Sequence, residues 1–147
     1  MNLPAYTVIA HEPFGFYEFS SEGPNSVIKK AIVYQEFDAG FYNLAFGDWD
    51  GSRQVLNDMA RSNNNDRDKV LATVALTVID FLKHRPDAII HCVGSTPART
   101  RLYQMGISSN WKQIKEYVEI AGRVGEIWEP FTTGKNYVAF MIILREK

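Results

Sequence analysis

The chain has 147 residues, 46% hydrophobic and 22% charged, with a formal net charge of −1. That is enough to bury a core as a single domain over 1–147, and the balanced charge excludes a global basic field for nucleic acid and an acidic tail. One cysteine, Cys92, excludes an internal disulfide and a cysteine-rich metal site and fits a reducing, cytoplasmic setting.

The N-terminus, MNLPAYTVIAHEP, lacks a basic segment followed by an apolar one and does not read as a signal peptide. No apolar run is long enough to span a bilayer, so no membrane partner is expected. Residues 6–10 (YTVIA) read as a short strand and 14–20 (FGFYEFS) as an alternating one, followed by a turn cluster from Ser21 to Asn25. Residues 27–37 and 41–48 read as two strands joined at Asp38-Ala39-Gly40, the pattern of an antiparallel hairpin. From Gly47 to Asp68 the chain turns polar. Asp48-Trp49-Asp50-Gly51 lacks the length and alternation of a calcium loop and reads as a turn. Val55, Leu56 and Met59 are expected to make one helical turn, and Asn63-Asn64-Asn65 lies in loop.

The strongest helix spans 67–84. Val70, Leu71, Val74, Ala75, Val78, Ile79 and Leu82 recur at helical spacing and form a wide apolar face. Asp66 is the expected N-cap, Asp68 complements the positive end, Lys83, His84 and Arg85 the negative end, and Pro86 stops the helix. AIIHCVG at 88–94 is an uninterrupted apolar run and reads as a central strand buried on both faces. His91 and Cys92 are adjacent on it and point to opposite sides, so they cannot form a catalytic pair. A helix follows over 97–105 with Pro97 at its first position, and Asn110 is expected to cap a short turn through Lys115. Residues 117–122 read as a strand that EIWEPF continues past a bend, and 136–144 as the final strand. The fold class this order implies is α/β, α+β by stricter naming: a mixed, mainly antiparallel sheet with helices packed on it.

The stretch 90–107, IHCVGSTPARTRLYQMGI, carries the most chemistry. A strand that breaks at Gly94 and re-enters as a helix aims free backbone N–H groups at one spot, which suits an anion. Gly94, Ser95 and Thr96 would hold the anion and Arg99 would clamp it. Arg99 and Tyr103 lie at i and i+4 and share a face, whereas Arg101 points elsewhere, toward an acidic neighbour. The structural alternative makes Thr96 an N-cap, Pro97 a helix starter and the arginines surface ion pairs. At the head of the long helix, Arg67 and the side-chain amides of 63–65 are further candidate anion contacts. Lys29, Lys30, Lys112 and Lys115 make no contiguous basic patch, so nucleic-acid binding has no direct support.

The second half, roughly 41–144, resembles the GNAT N-acyltransferase superfamily. There, a helix after the fourth strand is followed by a fifth strand, by a helix with the pattern Asn-x-x-Ala-x-x-Leu-Tyr-x-x-x-Gly-Phe, and by a closing strand pair. Leu102-Tyr103 and Gly106-Ile107 match parts of that pattern, while Thr96 stands for its Asn, Arg99 for its Ala, and Gly106 comes one residue early. The resemblance implies an acyl-CoA cofactor and Tyr103 as general acid toward a thiolate leaving group. The glycine-rich pyrophosphate loop of that family has no counterpart: residues 61–70 read RSNNNDRDKV. The phrases YNLAFGD, NNNDRDKVLATV and GSTPARTRLYQMGI also resemble a family of small bacterial proteins that carries no assigned activity.

Two functions are therefore expected. The first is a non-catalytic ligand-binding or regulatory module that holds a small anionic or phosphate-bearing molecule at 94–103 and needs no cofactor. The second is a divergent acyl-CoA-dependent N-acyltransferase.

Overall fold

The structure is a computed structural model, and it describes residues 4–11, 15–24, 26–57 and 66–146. Its strands are β1 (Ile9–His11), β2 (Phe16–Glu22), β3 (Val27–Asp38), β4 (Phe41–Asp50), β5 (Val55–Asn57), β6 (Ile89–Cys92), β7 (Val118–Val124), β8 (Ile127–Pro130) and β9 (Ala139–Leu144). Two helices, α1 (Arg67–His84) and α2 (Pro97–Ile114), flank β6 in the chain. The fold is α+β, with one nine-stranded, mostly antiparallel mixed sheet in the order β1-β2-β3-β4-β6-β9-β7-β8, and β5 pairing with β4 beside that path.

Antiparallel neighbours need only turns. The β3–β4 turn sits at Asp38-Ala39-Gly40, where Gly40 has a φ of 77°, a conformation that glycine adopts without strain. The β4–β6 pair is parallel, so its connection must cross over the sheet, and α1 is that crossover. Strand parity places both helices on the same side. Tyr17, Tyr34, Leu44, Ile90, Cys92, Ile120 and Ile142 face them and are buried, together with Val70, Leu71, Val74, Val78, Phe81 and Leu82 of α1. Aromatic rings link the layers: Tyr34 stacks on Phe81 at 4.3 Å, and Tyr42 meets the same ring edge-on at 4.9 Å. The Tyr17 hydroxyl donates to Asp80 at 2.8 Å, and Tyr34 and Thr77 share a hydrogen bond at 2.9 Å. Among the described residues no helix is long and apolar enough to cross a membrane.

Several sequence expectations are corrected here. Val55 and Leu56 belong to strand β5 and not to a helical turn, because their backbone pairs with Trp49 and Asp50 of β4; Met59 and Asn63–Asn65 lie outside the described residues. The first strand covers only Ile9–His11, while the backbone of Tyr6 turns away to donate to Thr73 Oγ1 at 2.9 Å. Asp66 occupies the N-cap position of α1 as expected, its carbonyl accepting from the Val70 N–H at 2.9 Å, but its side chain makes no cap hydrogen bond; the carboxylate instead accepts from Tyr6 Oη at 2.6 Å and from Ser21 Oγ. Helix α2 runs to Ile114, past the expected end at 105, and Asn110 lies inside it, donating to the Gly106 carbonyl at 2.7 Å. Strand β6 is central, between β4 and β9, but Ile89 and His91 are only half-buried because both helices cover the other face. Its apolar run therefore reflects one covered face and one open, partly apolar face.

Candidate functional site

Strand β6 ends at Cys92, and after four intervening residues α2 starts at Pro97. Thr96 has extended backbone (φ −138°, ψ 163°), and its Oγ1 accepts from the Arg99 N–H at 3.2 Å, a side-chain N-cap. The Thr96 carbonyl accepts from Thr100 N at 3.0 Å. The Gly94 N–H donates to Thr100 Oγ1 at 2.9 Å. A Cβ built on Gly94 would lie 2.4 Å from both Arg99 Cβ and Thr100 N. Glycine is required here because the first turn of α2 presses directly on the end of the strand. Ser95 is exposed between them.

Arg99 and Tyr103 share one face of α2, as their spacing predicts, and that face points at β4. Arg99 Nη2 donates to the Phe46 carbonyl at 2.7 Å, and its guanidinium carbon lies 4.7 Å from the Phe46 ring centroid. Tyr103 Oη donates to the Leu44 carbonyl at 2.8 Å, with its ring edge-on to Phe46 at 5.5 Å. The β4–β6 ladder pairs Phe41, Tyr42 and Asn43 with Ile89, Ile90 and His91 and goes no further. Beyond it the two strands part, and the carbonyls of Leu44 and Phe46 face α2 without a ladder. A buried carbonyl needs a donor, and the two side chains supply it. Buried Tyr103 is thereby held as a donor to backbone. Arg99 keeps four of its five N–H donors, and among the described residues no carboxylate pairs with it. Arg101 is exposed and likewise meets no carboxylate among the described residues, against the sequence expectation.

Arg67 opens α1, far along the chain from this segment. It is exposed and reaches only its neighbour Asp68, at 4.0 Å. No contact among the described residues brings it to the Gly94–Tyr103 stretch. Between α1, α2 and the sheet lies a cavity of about 40 Å³ walled by apolar side chains such as Leu71, Val78, Ile107 and Ile142. That is room for a water or two and not for a drug-sized ligand. Cys92 borders it, and burial pushes its thiol pKa far up, so the sulfur stays protonated.

On the opposite face of β6, His91 lies 6.1 Å from the Phe37 ring, tilted to it, and 6.2 Å from Trp128, edge-on. Burial and then the Arg123 charge lower its pKa below the ordinary 6.5. Sequence reasoning considered His91 alone and missed Phe37, Asn43, Arg123 and Trp128 around it. The available signal was parity: Phe37, Asn43 and Arg123 occupy strand positions opposite to their strands' buried residues, and Trp128 pairs directly with Arg123. Reasoning from sequence weighed Lys30 only as part of a basic patch and missed that it is buried in β3, donating to Asp48 Oδ1 at 2.6 Å across the hairpin. Among the described residues no three His, Cys, Asp or Glu side chains are grouped to hold a metal ion.

The family model described as a family of unknown function (DUF6934) matches residues 2–145, so the chain belongs to that family. No curated protein and no solved structure gives a significant match.

Proposed function

We propose that the chain is a non-catalytic ligand-binding or regulatory module of the cytoplasm, and that it holds a phosphate-bearing or carboxylate anion at the start of α2. One observation carries this reading. Arg99 is fixed over Phe46 by a hydrogen bond and a ring contact, at the positive end of a helix, with no carboxylate to balance it among the described residues. An isolated cation in a first turn works against the helix dipole by about 0.3–1 kcal/mol. An anion there reverses the sign and takes the remaining guanidinium donors. Gly94 N–H and Thr96 Oγ1 are engaged within the turn and act by shaping it.

The test is thermal unfolding in sulfate against chloride at equal ionic strength, for wild type and Arg99→Ala. Sulfate also stabilises proteins generally by exclusion. The diagnostic quantity is therefore the wild-type increment minus the mutant increment. The reading expects that difference to be positive and to saturate with sulfate, as mass action requires. Equal increments in both proteins would refute it.

A second reading, a divergent acyl-CoA-dependent N-acyltransferase on a GNAT-like sheet, is favoured by one feature. The parallel β4–β6 pair parts after Asn43 and His91, its crossover is α1, and Tyr103 stands at the parting. Release of free thiol from acetyl-CoA in the presence of amine acceptors would establish it. Weighing the other way are the glycine-free residues 61–70 and the Tyr103 hydroxyl held by Leu44.

A further inference from the structure

We propose that the helix-free face of the sheet binds a nucleobase, laid against Asn43 and His91 between the rings of Phe37 and Trp128. Register sets out the platform. Gln35 pairs with Asn43, Asn43 with His91, His91 with Met141 and Met141 with Ala121, one row across β3, β4, β6, β9 and β7. Directly paired residues point to the same side, and this row points away from both helices. Aromatic side chains flank it and stay open to solvent: Phe37 is 59% exposed and Trp128 36%. His91 sits between them, with ring centroids 6.1 Å and 6.2 Å away. Arg123 lies over Trp128 at 6.0 Å, a cation at the edge of the platform.

The chemistry of the middle row selects the ligand. Among the described residues no hydrogen bond is made by the side chains of Gln35, Asn43 or His91. A second copy of the chain, or any dry apolar partner, would bury these groups unpaired at a considerable penalty. A flat heteroaromatic ring stacks on exposed aromatics and also brings donors and acceptors at its edge. An amide presents a donor and an acceptor side by side, and a neutral imidazole presents one of each, which matches the edge of a base. His91 is neutral at physiological pH because burial and Arg123 both disfavour its charged form. With Arg123 the cation beside Trp128 and a net charge of −1, phosphates contribute little and the base itself carries recognition. Free nucleotides and single strands share this chemistry. The site is separate from the anion contact at Arg99, which lies on the helix-covered side.

The experiment is titration calorimetry of the full chain with AMP, UMP and single-stranded oligo(dT), alongside sedimentation equilibrium. At least one nucleotide probe is expected to bind below about 1 mM. Phe37→Ala and Asn43→Ala, both at partly open positions, should each weaken it by about tenfold or more while melting curves stay near wild type. A monophosphate that matches the oligonucleotide identifies a free nucleotide as the ligand, and a clear oligonucleotide preference identifies a strand. Because these probes also carry phosphate that the Arg99 contact would take, binding at the sheet face is read in the Arg99→Ala background, where Phe37→Ala and Asn43→Ala must still weaken it, so failure of one site is distinguishable from failure of the other. No heat from any probe with wild type, or equal affinity in folded variants, overturns the proposal. So does a dimer that Phe37→Asp dissociates, which would make the face a self-interface.

Discussion

Replacing Gly94 by alanine isolates the steric demand at the start of α2. Gly94 is not among the residues with positive φ, so alanine meets no backbone penalty there and the whole effect comes from its methyl group. That carbon would lie 2.4 Å from Arg99 Cβ and Thr100 N and 2.6 Å from the Arg99 carbonyl carbon. Ordinary carbon contacts begin near about 3.5 Å, so α2 must back away by roughly 1 Å. Two of the three obstacles are backbone atoms in a helix, and no side-chain rotation relieves them. Overpacking of this kind costs about 1–3 kcal/mol. The retreat also stretches the 2.9 Å bond from Gly94 N–H to Thr100 Oγ1 and the 2.7 Å bond from Arg99 to Phe46. Losing one of them adds about 1 kcal/mol, for a total of about 2–4 kcal/mol. For a domain of this size that lowers Tm by roughly 4–16 °C. Circular dichroism melts, with urea midpoints as a check, measure it. Gly51→Ala is the control: its Cβ would meet only the Trp49 side chain, Nε1 at 3.5 Å and Cδ1 at 3.9 Å, both ordinary contacts. A Gly94→Ala protein within about 0.5 kcal/mol of wild type would refute the steric account and return the glycine to a role in ligand contact.

Two further outcomes follow from the same geometry. Tyr103→Phe removes the donor to the buried Leu44 carbonyl and should destabilise by about 1–2 kcal/mol in urea unfolding; an unchanged midpoint would mean that water or another group serves that carbonyl. The His91 titration followed by NMR should have its midpoint below 6.5, and Arg123→Gln should recover the smaller part of the shift, because burial is its larger cause. The unfolded chain then binds the proton more readily than the folded one, so the His91 contribution to stability is full above pH 6.5 and is lost as pH falls through the folded value.

Periodicity made the long helix legible: α1 begins and ends at 67 and 84 as its apolar spacing and Pro86 dictate. The β3–β4 hairpin was equally clear from alternation and a glycine turn. Short strands were not. Val55-Leu56-Asn57 has too few residues to show a period, and only the free edge of β4 makes it a strand. Asp66 shows why caps are harder to assign than helices. Any aspartate before a helix suits the N-cap rule, but here Tyr6 and Ser21, distant in sequence, claim the carboxylate.

The candidate site repeats that lesson in a sharper form. Local pattern correctly placed Thr96, Pro97, Arg99 and Tyr103 on one helix start, and correctly put Arg99 and Tyr103 on one face. It did not reveal that β4 leaves its parallel partner at Asn43 and presents bare carbonyls to that face. A parting ladder creates a demand for donors, and the nearest polar side chains answer it before any ligand does. The two residues differ in what remains afterwards. A tyrosine has one proton to give, so Tyr103 can serve a substrate only by abandoning Leu44. A guanidinium has five, and the one given to Phe46 orients the other four while the charge stays unbalanced. The parting of β4 and β6 thus weakens the case for acid catalysis at Tyr103 and leaves Arg99 a preorganised cation, which is why the anion reading rests on Arg99 alone.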